Sequence, residues 1–293
     1  MAYPRTRFPQ TGDGENSKDK PQSPEQEKEK KIDEEAEDRS APSGKVVYRA
    51  VVKEADDELH RSGAALFWSG LAAGLSMGFS LVGEAILRAN LPDEPWRPLV
   101  AKIGYSFGFL IVILGRQQLF TENTLTPMLP LMTRKDAHTF WKVMRLWGIT
   151  LLANLIGALA VAAALTQTDA LSAEVRHAMR EIGTLAMEPD WLTTMIRGIF
   201  AGWLIAILVW MLPASDSARF WVILLMTWLV GVGEFAHIIA GSIETFGLAW
   251  SGYASWGEVL GGYVLPTLLG NIIGGVTLVA GLNHAQVVGG ESK

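Results

Sequence analysis

The chain has 293 residues, 49% of them hydrophobic and 19% charged, with a formal net charge of -5 and a mean hydropathy of +0.22. It contains no cysteine, which excludes disulfides and thiolate-bound metals. No basic stripe or nucleic-acid motif occurs, so nucleic acid is not an expected partner, and no motif calls for a cofactor or metal.

Residues 1–45 are rich in Lys, Glu, Asp, Pro, Gln and Ser. Such a stretch has too little apolar surface to offset the entropy of ordering, and it reads as a disordered charged tail. It lacks the apolar core of a signal peptide. Residues 46–61 differ. Val46, Val47, Ala50, Val51 and Ala55 recur near helical spacing among charges. Two readings stand: a polar linker helix, or an amphipathic helix lying on the cytoplasmic face before the first span.

Residues 62–285 are mostly apolar and form the membrane domain, followed by a short tail, 286–293. A span needs about 20 largely apolar residues. Six segments qualify: Ala64–Leu87, Leu99–Phe120, Val143–Leu165, Leu192–Met211, Phe220–Ala240 and Leu260–Leu282. Lipid offers no partners for unpaired backbone groups, so these are expected to be helices and the fold all-α. Trp68, Trp96, Trp141, Trp191, Trp210, Trp221 and Trp256 sit where interfacial anchors belong. Arg134, Lys135, Lys142 and Arg145 make the loop after the second span the most basic one. That bias places the loop, and with it both termini, in the cytoplasm.

Two of the apolar stretches are interrupted. Leu119-Phe120-Thr121-Glu122-Asn123-Thr124-Leu125-Thr126-Pro127 holds residues that compete with helical hydrogen bonds or remove them. Either the helix breaks here at membrane depth, or it ends at the surface near Phe120. The second interruption is Glu234-Phe235-Ala236-His237. Roughly 33 residues beyond each lies a related motif, Asn154-Leu155-Ile156-Gly157-Ala158 and Asn271-Ile272-Ile273-Gly274-Gly275. Paired broken segments in two halves mark a transporter or channel whose solute path lies where the breaks meet.

His237 stands inside an apolar run, where an ionisable group is costly and usually faces a cavity. Histidine exchanges protons near neutral pH, so His237 is the candidate proton-handling residue. Glu234, one turn earlier, is either its electrostatic partner or an interfacial or packing residue. Arg116 and Arg197 are expected to pair with Glu122 or with helix ends. Small residues crowd three spans, Gly70, Gly74, Gly198, Gly202, Gly270 and Gly274 among them, which is a packing signal. Two other classes fit parts of the sequence. Gly74-Leu75-Ser76-Met77-Gly78 fits G-x-S-x-G, which with six spans and an intramembrane His suggests an intramembrane serine protease, but no flanking sequence makes a nucleophile elbow. A non-transporting protein, or a neutral-solute protein with a degenerate pore, is the other alternative.

The chain resembles the formate/nitrite transporter family, most nearly its YfdC-like subgroup. The matching residues are Gly115 with Leu119-Phe120-Thr121, Asn154-Leu155-Ile156-Gly157-Ala158, Phe235 with His237, and Gly270-Asn271-Ile272-Ile273-Gly274-Gly275, across about residues 62–285. The resemblance implies an aquaporin-like fold of six transmembrane helices in two inverted three-helix repeats, with helices two and five broken. It implies a homopentamer in a bacterial inner membrane, with one pore per protomer. It also implies a small monovalent anion or its neutral acid as solute, with protons as co-partner and the central His as proton donor. It places Thr121 and His237 at the centre, Leu119 and Phe120 at one constriction, and Tyr105 and Val230 at the other. The chain departs from the family's pattern in three places. The stretch Leu185-Ala186-Met187-Glu188-Pro189 lacks the usual vestibule Lys, and two family Asn positions fall on Gly202 and Gly241. Weaker attraction for anions is therefore expected, unless Arg176 or Arg180 takes the lysine's place.

Overall fold

The structure is a computed structural model and describes residues 42–282 and 285–286. The disordered-tail reading falls outside these residues up to position 41, and the C-terminal tail falls outside them from position 287. Among the described residues every regular element is helical. Chain order gives α1 (Gly44–His60), α2 (Gly63–Ser76), α3 (Gly78–Asn90), α4 (Arg97–Leu114), α5 (Met128–Arg134) and α6 (Ala137–Gln167). Then follow α7 (Ala173–Met187), α8 (Trp191–Met211), α9 (Arg219–Val232), α10 (Ile238–Trp250) and α11 (Leu265–Ile273). The π-helical turns Val259–Val264 and Gly274–Gly281 flank α11.

Five helical stretches are long and apolar enough to cross a membrane: Gly63–Asn90, Arg97–Leu114, Ala137–Gln167, Trp191–Ala214 and Trp256–Thr277. The segment expected as one span over Phe220–Ala240 is instead two shorter apolar helices, α9 and α10, on either side of a break. Helix starts follow from capping side chains that accept otherwise unpaired N–H groups. Ser62 caps α2, Asp136 caps α6, Ser172 caps α7 and Asp190 caps α8.

Residues 44–60 form an amphipathic helix. Val47, Val51, Ala55 and Leu59 form its buried stripe. Val47 and Val51 pack with Leu125, Leu129, Ala206 and Val209, so this stripe is buried against protein. Asp56 pairs with Arg134 at 2.7 Å, and Arg145 donates to the carbonyls of Leu59 and Arg61, fastening the helix end.

The long helices pair through small residues. On α2, a Cβ at Gly74 would overlap the backbone of Asn154, and on α6 a Cβ at Gly157 would crowd the α2 backbone. The pair α8 and α11 repeats this: Gly202 lies on the backbone of Asn271, and Gly274 lies on that of Ile199 and Trp203. Removing side chains at these points lets two backbones approach where lipid supplies no hydrophobic drive.

Candidate functional site

The site begins where two helices stop. α4 ends at Leu114, six residues short of the expected Phe120, because Arg116 turns to φ 50°. α9 ends at Val232, and Glu234 turns to φ 51°. Both turns close with the same pattern: Gln117 N donates to Val112 O, and Phe235 N donates to Val230 O. After each turn the backbone runs non-helically through the middle of the molecule. There its polar groups need partners, since an unpaired one costs about 1–3 kcal/mol.

The two asparagines supply them. Asn154 Nδ2 donates to Gly70 O (2.7 Å) and Gln118 O (2.9 Å), and its Oδ1 accepts from Phe120 N (2.9 Å). Asn271 Nδ2 donates to Gly198 O (2.8 Å) and Ala236 O (2.8 Å), and its Oδ1 accepts from Ile238 N (2.9 Å). Each carboxamide thus ties a broken strand of backbone to a glycine of a neighbouring helix. Both asparagines are fully buried.

His237 is the last residue of the second break and caps α10. Its Nδ1 accepts from Ile239 N (3.3 Å) and Ala240 N (3.2 Å). With Nδ1 accepting, the neutral ring carries its proton on Nε2, and this donates to Thr121 Oγ1 at 2.8 Å. The bond joins residues 116 positions apart and links the two breaks directly. The Phe109 ring meets the imidazole edge-on with centroids 4.9 Å apart. Leu119 and Phe120 are buried, and Phe120 rests on Trp147, with centroids 5.8 Å apart.

Beside His237 opens a cavity of about 240 Å³. Tyr105, Val230, Glu234 and His237 line it, together with residues that sequence reasoning passed over: Glu84, Lys102, Glu244 and Tyr263. Lys102 Nζ lies 2.6 Å from Glu84 Oε1 and 5.8 Å from the Tyr105 ring centre. The vestibule therefore does hold a lysine, from α4, where the stretch before α8 has none. The signal was available, because Glu84, Lys102 and Glu244 are ionisable groups inside apolar helices. That they share one cavity depends on helix packing.

Other expectations change. Glu234 pairs with Arg197 Nη1 at 3.2 Å, so Arg197 takes neither Glu122 nor a helix end. Arg116 is exposed, and Glu122 keeps a buried Oε1 without a hydrogen bond. Arg176 and Arg180 line a separate cavity of about 460 Å³. There Arg176 binds Asp169 (2.7 Å) and Arg180 binds the Tyr253 hydroxyl (2.6 Å), so neither replaces a vestibule lysine. At Gly202 a side chain would overlap Asn271, and at Gly241 it would overlap the Tyr263 hydroxyl. Both absent asparagines have thus been replaced by packing. Ser76 ends α2, and the single buried histidine among the described residues is bonded to Thr121.

The vestibule rim is tied by charge. Arg88 Nε donates to Glu181 Oε2 at 3.0 Å, and this bond, with lesser help from the Arg88, His177 and Arg97 charges, holds the Glu181 carboxyl below its ordinary range. A depressed carboxylate contributes stability that is present above the ordinary carboxylate range and is lost as pH falls through the depressed value. Glu181 is well exposed, so the expected loss in Glu181→Gln is about 0.5 kcal/mol. The check is Tm against pH. Acidification should lower the wild-type Tm toward that of the variant, and parallel curves would remove the pair's role.

The model of the formate/nitrite transporter family matches residues 45–285. The inner membrane protein YfdC of Escherichia coli (strain K12) is 40% identical over 266 residues, which cover 91% of this chain and 86% of that one. Among solved structures, a pentameric formate channel with formate bound has a TM-score of 0.68 at 19% identity, covering 77% of this chain and 97% of its own. A channel described as an FNT family ion channel has a TM-score of 0.71 at 20% identity, covering 83% and 99%. The fold is shared with both. With a family match over most of its length and a relative at this identity, the chain belongs to the formate/nitrite transporter family.

Proposed function

We propose that the protein is a channel or transporter for a small monovalent anion or its neutral acid, of the formate or nitrite kind. The observation that carries this reading is the Thr121–His237 bond at the meeting of two broken helices. The neck around it is apolar, with Leu119, Phe120, Phe109 and Val230 buried. An unpaired anion there loses its hydration, at an idealised cost of tens of kcal/mol, whereas its neutral acid does not. The solute crosses the neck as the neutral acid, passing at the level of His237. Thr121 holds the ring, Leu119 and Phe120 form one constriction, and Tyr105 and Val230 form the other. Asn154 and Asn271 fix the backbone of the path, and Glu234 fixes the rim.

In the membrane the fold is read as six spans in two inverted three-helix repeats, the second and fifth broken. The equal roles of Asn154 and Asn271 support this. We assign the protein to the bacterial inner membrane from its relative YfdC, and both termini to the cytoplasm from the basic loop that contains Arg134 and Lys135. A homopentamer is proposed from the pentameric formate channel that shares the fold.

A second reading has one observation behind it: the vestibule lysine is already paired with Glu84, as a pore for neutral solutes would permit. The test is a flux screen in proteoliposomes with formate, nitrite, hydrosulfide, acetate, lactate and small neutral solutes at two pH values. Uptake of a small anion above empty liposomes, faster on the acid side, is the expected result. Passage of neutral solutes with no anion flux at either pH would replace the anion reading by the second one.

A further inference from the structure

We infer that Glu244 is the proton donor of the vestibule: an incoming anion docks on Lys102, takes a proton from the Glu244 carboxyl, and goes on to His237 as the neutral acid. This rests on the anion reading above and specifies where the proton enters.

His237 explains why another donor is needed. Its Nδ1 is committed to two backbone N–H groups of α10, and its single ring proton already goes to Thr121. Giving up that proton with nothing on Nδ1 would leave an imidazolate, and putting a proton on Nδ1 would break the cap. The ring therefore serves the passing acid as a hydrogen-bond donor, and the net proton comes from elsewhere.

The cavity supplies the groups. Glu84 is buried, with its side chain 2% exposed; Oε1 holds Lys102 Nζ, and Oε2 has no hydrogen-bond partner. Lys102 is 20% exposed and keeps donors free toward the cavity. Glu244 is buried on α10, makes no side-chain hydrogen bond among the described residues, and lies within electrostatic reach of both Lys102 and Glu84. Glu244 is among the residues that line both the vestibule and the second cavity, so it stands between the two.

The surrounding charges are mostly accounted for. Arg88 is bound to Glu181, and Arg197 to Glu234. On the second-cavity side Arg176 is bound to Asp169, His177 to Glu181, and Arg180 to the Tyr253 hydroxyl. Tyr105 and Tyr263 are buried phenols that add no charge when protonated. Inside the vestibule this leaves one ammonium and two carboxylates, so a single proton on Glu244 removes the excess negative charge. An anion then meets Lys102 without facing a second unpaired carboxylate. In the transfer the O–H bond of Glu244 breaks and an O–H bond forms on the solute. Glu244 is left as a carboxylate and is reprotonated from water in the second cavity. For a formate-like solute the proton passes from a carboxyl group to a carboxylate, and the desolvation that favours the neutral form of Glu244 acts on the incoming anion as well.

The test uses the purified full chain in proteoliposomes with formate as probe, with infrared spectra of the same preparations. Glu244→Gln is expected to assemble normally, to lose at least ~10-fold of formate uptake at neutral pH, and to lose the wild-type rise in uptake on acidification. Glu244→Asp is expected to restore part of both. In the infrared the wild type should show a protonated-carboxyl band at neutral pH that Glu244→Gln diminishes and Glu84→Gln keeps. Uptake and pH profile unchanged in Glu244→Gln, or a carboxyl band indifferent to that substitution, would overturn the inference while leaving the anion reading intact. If Glu244→Gln fails to assemble, the Glu244→Asp profile and the wild-type spectrum decide. An assembled wild type that moves no formate or nitrite at any pH overturns the anion reading, and this inference with it.

Discussion

Asn271→Ala should cost on the order of 3 kcal/mol or more, because three buried backbone groups lose their partner at once. Ile238 N loses an acceptor, and the carbonyls of Gly198 and Ala236 lose a donor. Asn271 and Ile238 are fully buried and Ala236 nearly so, which leaves few replacement partners. The second consequence is positional. The bonds to Ala236 and Ile238 flank His237, so their loss frees the backbone that aims the imidazole at Thr121. Asn154→Ala should behave alike, releasing Gln118 O and Phe120 N on either side of Leu119. Asn271→Asp keeps the acceptor but loses both donors and adds a buried charge, so it should be worse than Ala. Thermal unfolding in detergent, followed by circular dichroism, measures the effect. A Tm equal to wild type in Asn271→Ala would mean that the break holds itself without the carboxamide.

These bonds also explain how much of the molecule could be read from its residues. The recurring interval between break and asparagine is a bonded distance: Phe120 to Asn154 is 34 positions, and Ile238 to Asn271 is 33. The repeat was visible because the same backbone problem is solved twice by the same side chain. The start of the first break was less visible. Reading for Thr, Asn and Pro pointed to Leu119–Pro127, whereas the helix stops at Leu114. The better cue is the pair Gly115-Arg116 and Gly233-Glu234, a glycine followed by a charged residue in left-handed backbone in both halves. Charge type there is opposite, which hid the likeness.

The vestibule was the least legible part. Glu84, Lys102 and Glu244 come from three helices, and periodicity does not say which faces meet. Searching only the stretch before α8 for a lysine missed the one that α4 supplies. The glycines at 202 and 241 could be counted as lost polar groups, but their reason lies in Asn271 and Tyr263, which occupy the space. Phe109 was lost among the other apolar residues of α4, since nothing in its spacing marks it as the ring against His237.

The central claim is that the solute passes His237, and His237→Asn addresses it with the least structural damage. Asparagine is a good helix cap, so its Oδ1 can take over acceptance from Ile239 N and Ala240 N. It is shorter than histidine and carries no ring nitrogen, so the bond to Thr121 and the donor at the neck disappear. Folding and assembly should therefore survive while transport does not. This separates the substitution from Asn271→Ala, where both should fail. The direct measurement is formate uptake into proteoliposomes that carry equal amounts of assembled wild type and His237→Asn. A loss of at least ~100-fold in the variant, with an unchanged elution profile and Tm, is the predicted result. Uptake equal to wild type at both neutral and acid pH would contradict it, because the path would then bypass the place where the two breaks meet.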